Sequence, residues 1–295
     1  MGGRVELQGH RGARGLFPEN TLGGFAAALK IGIDTIEFDV GLTRDGVAVV
    51  THDPALNPDI TRTRDGSWLS APTPLIRALT RQELSLYDVG RIRPGSAYAA
   101  RFPDQCPHDG AEIPDLVDVL RLNAAVGLDI ELKTFPLDPD WTASPEEMAA
   151  SVAAALDASA AASRAVVQSF DWRVLRVLQR TRPDLTLSWL TRRSTGSDTR
   201  RWWDGPDPSD YGGSYARAVA AEGGRIWAPD YVDITSDAVS EAHELGLRVV
   251  VWTVNRPDEL RRMLRLGVDG LISDRPDLAR EAMRAEGLAV PCEPI

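Results

Sequence analysis

Four short stretches hold the side chains from which a reaction can be built. In Ile36-Glu37-Phe38-Asp39-Val40 two carboxylates alternate with apolar residues, and side chains at i and i+2 of a strand share a face, so both acids point the same way. Like charges about 4 Å apart at an effective dielectric near 20 repel by about 4 kcal/mol, so either one acid is protonated or a cation lies between them. The apolar flanks argue against the plain alternative of an edge strand with its acids in water. Leu128-Asp129-Ile130-Glu131-Leu132-Lys133 repeats the pattern, with Glu131 and Lys133 on one face and Ile130 and Leu132 on the other. A third carboxylate at the end of that strand completes an all-oxygen site of the kind Mg²⁺ or Ca²⁺ takes, whereas zinc would call for a Cys or His cluster that is absent here. Lys133 also has a simpler reading, as the ion-pair partner of Glu131 or Glu37.

Two of the four histidines end strand-like runs: His10 in Gly9-His10-Arg11-Gly12 and His52 in Val49-Val50-Thr51-His52-Asp53. A lone His-Arg-Gly is ordinarily a surface loop. Two imidazoles closing neighbouring strands, one beside a guanidinium suited to an anion, instead fit a general base and general acid acting at phosphorus. His108 falls in a loop and His243 on a helix, and both read as structural or solvated.

Such residues meet only if the elements bring them together. Strand-like runs occur at 5–9, 35–40 with 47–51, 126–132, 165–170, 186–190, 225–228, 248–254 and 270–273. Helical patterns lie between them at 21–31, 115–123, 145–158, 171–181, 216–222, 236–245, 257–266 and 276–286. If 35–40 and 47–51 share one unit, eight units result, which predicts a (β/α)8 TIM barrel of one domain over 1–295. A doubly wound sheet is the alternative, but no GxGxxG or Walker loop supports it. Two stretches break the rhythm. Residues 53–110, rich in Pro, Gly and Arg, are expected to form a loop-rich inserted subdomain after the strand of the second unit, with one short helix near 80–87. Residues 192–213, with Trp202 and Trp203, form a second excursion on the same side, where barrel enzymes keep their substrates.

Composition narrows the function classes. The 295 residues are 43% hydrophobic and 26% charged, with a net charge of −10 that repels nucleic acid and acidic membranes. Cys106 and Cys292 lack CxxC spacing and read as plain thiols, with a single bridge as the alternative. No apolar run is long enough to span a bilayer and no leader-like segment opens the chain, so a cytoplasmic location is expected, or a periplasmic or secreted one if a leader has been removed before Met1-Gly2-Gly3. Nothing in the pattern bears on oligomeric state.

Taken in order, His10-Arg11-Gly12, Pro18-Glu19-Asn20-Thr21, Ile36-Glu37-Phe38-Asp39-Val40, Thr43-Arg44-Asp45-Gly46, His52-Asp53, Glu131-Leu132-Lys133, Trp252-Thr253-Val254-Asn255 and Gly270-Leu271-Ile272-Ser273-Asp274 resemble the glycerophosphodiester phosphodiesterases, from residue 9 to residue 278. Each motif is weak alone; the ordered set is specific. The resemblance implies a barrel enzyme that hydrolyses small-molecule glycerophosphodiesters to glycerol 3-phosphate and an alcohol. It implies that Glu37, Asp39 and Glu131 bind one divalent cation, Mg²⁺ or Ca²⁺, that His10 and His52 move protons, and that Arg11 and Lys133 hold the phosphate. Trp252 looks like the aromatic wall beside the glycerol, with a barrel-core Trp as the other reading. Gln168 is similar to a family motif and receives no role. Family members often carry an insert between His52 and Glu131, and the modest apolar content of 53–110 (Trp68, Leu69, Tyr87, Tyr98) favours small polar head groups such as choline, ethanolamine or glycerol. Two rival readings are a phospholipase D-like lyase acting on lysophospholipids and a non-catalytic sugar-phosphate-binding barrel.

Overall fold

The structure, a computed structural model, describes residues 4–193, 199–205 and 207–292. Its strands are β1 (Glu6–His10), β2 (Thr35–Leu42), β3 (Ala48–Val50), β4 (Arg62–Thr63), β5 (Tyr87–Asp88), β6 (Gly127–Leu132), β7 (Ala165–Ser169), β8 (Thr186–Thr191), β9 (Ile226–Pro229), β10 (Arg248–Val251) and β11 (Gly270–Ser273). Eight of them, β1, β2 and β6 to β11, pair in parallel around a ring that closes because β1 bonds both β11 (Gln8 opposite Ile272) and β2 (Gly9 opposite Ile36). This is the (β/α)8 barrel. The runs at 35–40 and 47–51 do share one unit: β3 folds back antiparallel on the end of β2, with Leu42 opposite Ala48 and Val40 opposite Val50.

Strand β2 shows why the ring forms. All eight of its residues are buried. Ile36, Phe38 and Val40 turn outward into the layer shared with the helices, where the Phe38 ring lies 5.8 Å from that of Phe25 on the helix Leu22–Ile31. The intervening residues, Glu37 and Asp39, then face inward. Helix boundaries follow local chemistry: Thr21 caps Leu22–Ile31, a Ser144 and Glu147 capping box opens Pro145–Ala158, and Asp171 caps Trp172–Thr181.

Residues 53–110 run between β3 and the short helix Leu116–Leu120. Leu56, Ile76, Leu84 and Val89 join Val49 and Ile113 in a small core separate from the barrel's. The expected short helix is Arg81–Leu84, and Ala97–Arg101, capped by Ser96, is a second that the sequence reading lacked. A backbone bond from Cys106 N–H to Leu16 O ties the segment to the turns that follow β1, and one from Val50 N–H to Pro114 O joins the stretch after it to the end of β3. The excursion expected at 192–213 includes 194–198 and 206, which lie outside the described residues, as does the Met1-Gly2-Gly3 start. Cys106 and Cys292 are free and exposed. Among the described residues no helix is long and apolar enough to cross a membrane.

Candidate active site

Register delivers the acids. Asp39 stands opposite Glu131 and His10 opposite Glu37 across neighbouring strands, so residues far apart in sequence meet at the C-terminal mouth of the ring. Glu37, Asp39 and Glu131 each offer an oxygen within 4.8 Å of the others, and all three are buried. Burial pushes the Glu37 carboxyl well up, with Asp39 and Glu131 adding to the effect, and it raises Glu131 despite the adjacent Lys133. Asp39 is buried equally, yet Lys133 and Arg11 outweigh burial and hold it well below the usual carboxylate range.

The cations are fixed by these acids. Lys133 Nζ lies 2.9 Å from Asp39 Oδ1 and 2.5 Å from Glu131 Oε1. Arg11 places Nε 3.0 Å from Asp39 Oδ2 and Nη1 2.7 Å from Glu19 Oε1, while the other Glu19 oxygen accepts from the Tyr98 hydroxyl. Asn20 Nδ2 donates to Asp39 Oδ2 at 3.0 Å, and Gln168 Nε2 donates to Glu37 Oε1 at 3.3 Å. The turn after β1 contributes too. Arg11 sits at φ 51° and Gly12 at φ 89°, a left-handed pair that aims the Arg11 N–H at Glu37 Oε2, 3.1 Å away. Asp39 Oδ1 is buried and faces the Lys133 ammonium. Three hard-oxygen donors within 4.8 Å of one another fit a divalent cation.

Each imidazole has its own carboxylate. His10 Nδ1 is 2.6 Å from Asp274 Oδ1, and Asp274 also accepts from Arg14 Nε at 2.8 Å and Asn255 Nδ2 at 2.7 Å. His52 Nδ1 is 2.7 Å from Asp53 Oδ1, and Asn57 Nδ2 donates to the second Asp53 oxygen at 2.8 Å. An ionised carboxylate only accepts, which assigns the proton to Nδ1 and leaves Nε2 with its lone pair on both rings. His10 Nε2 lies 3.8 Å from Glu37 Oε2. Burial foremost pulls both histidines down to about 4, so both are neutral near pH 7.

A cavity of about 600 Å³ opens over this cluster. Seven of the eight residues singled out from the sequence line it: His10, Arg11, Glu37, His52, Glu131, Lys133 and Trp252. The eighth, Asp39, is fully buried beneath Arg11 and Lys133. Trp252 stands at the rim, its Nε1 donating to Ala228 O at 2.9 Å and its ring edge-to-face with Phe170 at 5.3 Å. The sequence reading gave no roles to Asp274, Asp53, Glu19 or Gln168, all of which brace the cluster. Asp274 and Asp53 had a signal, since Asp274 directly follows a strand and Asp53 directly follows His52. Tyr98 had none, because it lies 79 positions from Glu19 inside an irregular segment.

Residues 10–278 match the model of the glycerophosphoryl diester phosphodiesterase family. A Mycobacterium tuberculosis (strain ATCC 25618 / H37Rv) relative assigned as glycerophosphodiester phosphodiesterase 2 is 30% identical over 97% of this chain and 93% of its own. A crystal structure from Silicibacter pomeroyi DSS-3, assigned as a glycerophosphoryl diester phosphodiesterase, superposes with a TM-score of 0.89 at 39% identity, covering 97% of this chain and 95% of that one. An Oleispira antarctica phosphodiesterase in complex with the product sn-glycerol-3-phosphate has the same fold, with a TM-score of 0.69 at 21% identity, covering 95% and 97%.

Proposed function

The chain belongs to the glycerophosphoryl diester phosphodiesterase family, and from that premise we propose that it hydrolyses glycerophosphodiesters to glycerol 3-phosphate and an alcohol, using one divalent cation and the pair His10 and His52. The reading rests on one observation above all: three buried carboxylates lie beneath two imidazoles, each of which is held by a carboxylate of its own. The Oleispira antarctica relative holds sn-glycerol-3-phosphate, and we take the same compound as the product here.

Glu37, Asp39 and Glu131 would hold the cation, Mg²⁺ or Ca²⁺, which when bound neutralises charge on the phosphoryl oxygens. Arg11 and Lys133 have guanidinium and ammonium groups in the same cavity, and they stabilise the charge that builds as phosphorus becomes five-coordinate. A neutral Nε2 accepts the proton of the attacking hydroxyl or water. The other imidazole takes up a proton at Nε2 from solvent when the anionic diester binds and gives it to the departing alkoxide, and the first ring then releases its proton to solvent, so both end the turnover neutral. Asp274 and Asp53 keep each ring in the tautomer that leaves Nε2 facing the reaction. Trp252 forms the apolar wall for the glycerol carbons, and Asn255 lies beside it at the rim. We place residues 53–110 as a subdomain inserted within the single barrel domain, reaching the cavity through Tyr98 and Arg101.

The test is direct assay with Mg²⁺ or Ca²⁺ and a panel of glycerophosphodiesters, detecting free glycerol 3-phosphate. His10→Ala and His52→Ala are each expected to lose at least about a hundredfold in rate with unchanged circular dichroism. A cyclic lipid phosphate as end product would assign the chain to lysophospholipid lyases instead. Near-normal turnover in either histidine variant would remove the acid-base pair.

A further inference from the structure

A second cavity, of about 210 Å³, opens beside the first over the ends of β6, β7 and β8. The two share His52, Glu131, Lys133, Phe170, Leu190 and Arg192, so they meet at the acid cluster itself. Their chemistry differs. The larger one carries Asp230, Asn255, Arg11, Arg14 and Arg101, and the shared Arg192 turns its Nε to Asp230 Oδ2 at 3.2 Å and its guanidinium over the Trp252 ring. The smaller is walled by Phe135, Phe170, Leu190, Trp202 and Trp203. It also has hydroxyl residues in its wall, whose protons are donated inside the protein. Thr134 Oγ1 donates to Asp171 at 2.8 Å, Ser169 Oγ to Leu132 O at 2.8 Å, and Thr199 Oγ1 to Asp207 at 2.6 Å. None of the three has a proton left to donate to a guest, and the side chains around them, Phe135, Phe170, Leu190, Trp202 and Trp203, offer mainly carbon.

The wall is also packed from behind. Trp203 is buried and stacks on Trp172 at 3.9 Å with 3° between the rings, and Phe135 meets Trp202 edge-on at 6.1 Å. A preformed apolar hollow releases water when filled and loses little freedom in the filling.

Resting on the function proposed above, we propose that this hollow receives the apolar body of the alcohol, and that the preferred substrates are glycerophosphodiesters of a short aliphatic or aryl alcohol. A diester has two arms on one phosphorus. With phosphorus over Glu131 and Lys133, the glycerol arm reaches the polar cavity beside Trp252, and the second arm enters between Phe135, Phe170 and Trp202. The small polar head groups expected from the sequence came from the composition of 53–110 alone. The hollow is built instead from the segments that follow β6, β7 and β8, more than 20 positions beyond the end of that stretch.

The experiment compares kcat/KM for the ethyl and n-hexyl esters of glycerol phosphate, both uncharged on the alcohol side. Each buried methylene is worth about fourfold, so the hexyl ester is expected to be favoured at least about tenfold. In Trp202→Ala and Phe135→Ala the hexyl-to-ethyl ratio is expected to fall at least about threefold; because the ratio is internal to each preparation, partial loss of folded protein cancels. Equal values for the two esters, or a preference untouched by both substitutions, would overturn the inference while leaving hydrolysis standing. If neither variant folds, the wild-type comparison decides. Absence of glycerol 3-phosphate from every diester would overturn the function itself.

Discussion

At the scale of single residues, Asp274 connects the most. It accepts from Arg14, Asn255 and the His10 Nδ1–H, so it sets the ring's tautomer and its direction together. Burial alone would raise its carboxyl; Arg14 and His10 outweigh burial and hold it well below its ordinary 3.8. With a folded value below the unfolded one, the unfolded chain takes up this proton first on acidification. Its stabilisation is therefore fully present above the unfolded value and is lost as the pH falls below about 4. Asp274→Asn is expected to be less stable near neutrality yet to show a flatter loss of stability between about pH 4 and pH 2.5, read from urea midpoints. It is also expected to lower kcat at least about tenfold, because the amide no longer fixes the imidazole. An unchanged acid limb would show that the Arg14 and His10 contacts contribute nothing net.

At the scale of elements, the strands were legible because apolar residues alternate with acids in β2 and β6, and such alternation has only one burial-compatible orientation on a ring with helices outside. Hence Glu37, Asp39, Glu131 and Lys133 stood out from the sequence alone. Register was not legible. Nothing in the residues says that Asp39 faces Glu131 rather than Asp129, because that follows from the closure of the whole ring. The helix Ala97–Arg101 was hidden for a different reason: five residues with none buried leave no periodic signal, although Tyr98 within it reaches Glu19. The end of β1 offers a sharp test of how an element aims a side chain. A Cβ on Gly9 would lie 2.0 Å from Gly12 O, a backbone atom that cannot turn aside, and that same turn carries His10 and Arg11. Gly9→Ala is expected to cost about 1–3 kcal/mol of stability. Activity should fall further than the loss of folded protein explains, measured as kcat on the fraction folded at each temperature. Full activity in a variant of lowered Tm would show that the turn tolerates displacement.

For the molecule as a whole, a closed ring turns a local charge problem into a global one. Glu37 and Asp39 enter on β2 and Glu131 on β6, and the pairing of these strands within the closed ring holds them together in a buried space where Glu37 and Glu131 are both pushed upward. Lys133 and Arg11 offset part of this repulsion, and a divalent cation would offset the rest while tying the two strands to each other. Binding confined to the folded state stabilises it by about 2.7 kcal/mol at a hundred times Kd. For a chain of this length that corresponds to a rise in Tm of several degrees. Protein stripped with EDTA is therefore expected to melt lower than protein in Mg²⁺ or Ca²⁺, and to regain both Tm and turnover when the ion is restored. Glu37→Gln relieves the crowding of like charges and removes a ligand at once. The variant should then melt at or above the stripped wild type, while its Tm responds to added cation only at much higher concentration. If neither ion moves the wild-type Tm, or if Glu37→Gln responds as the wild type does, the three acids serve the fold through Lys133 and Arg11 alone.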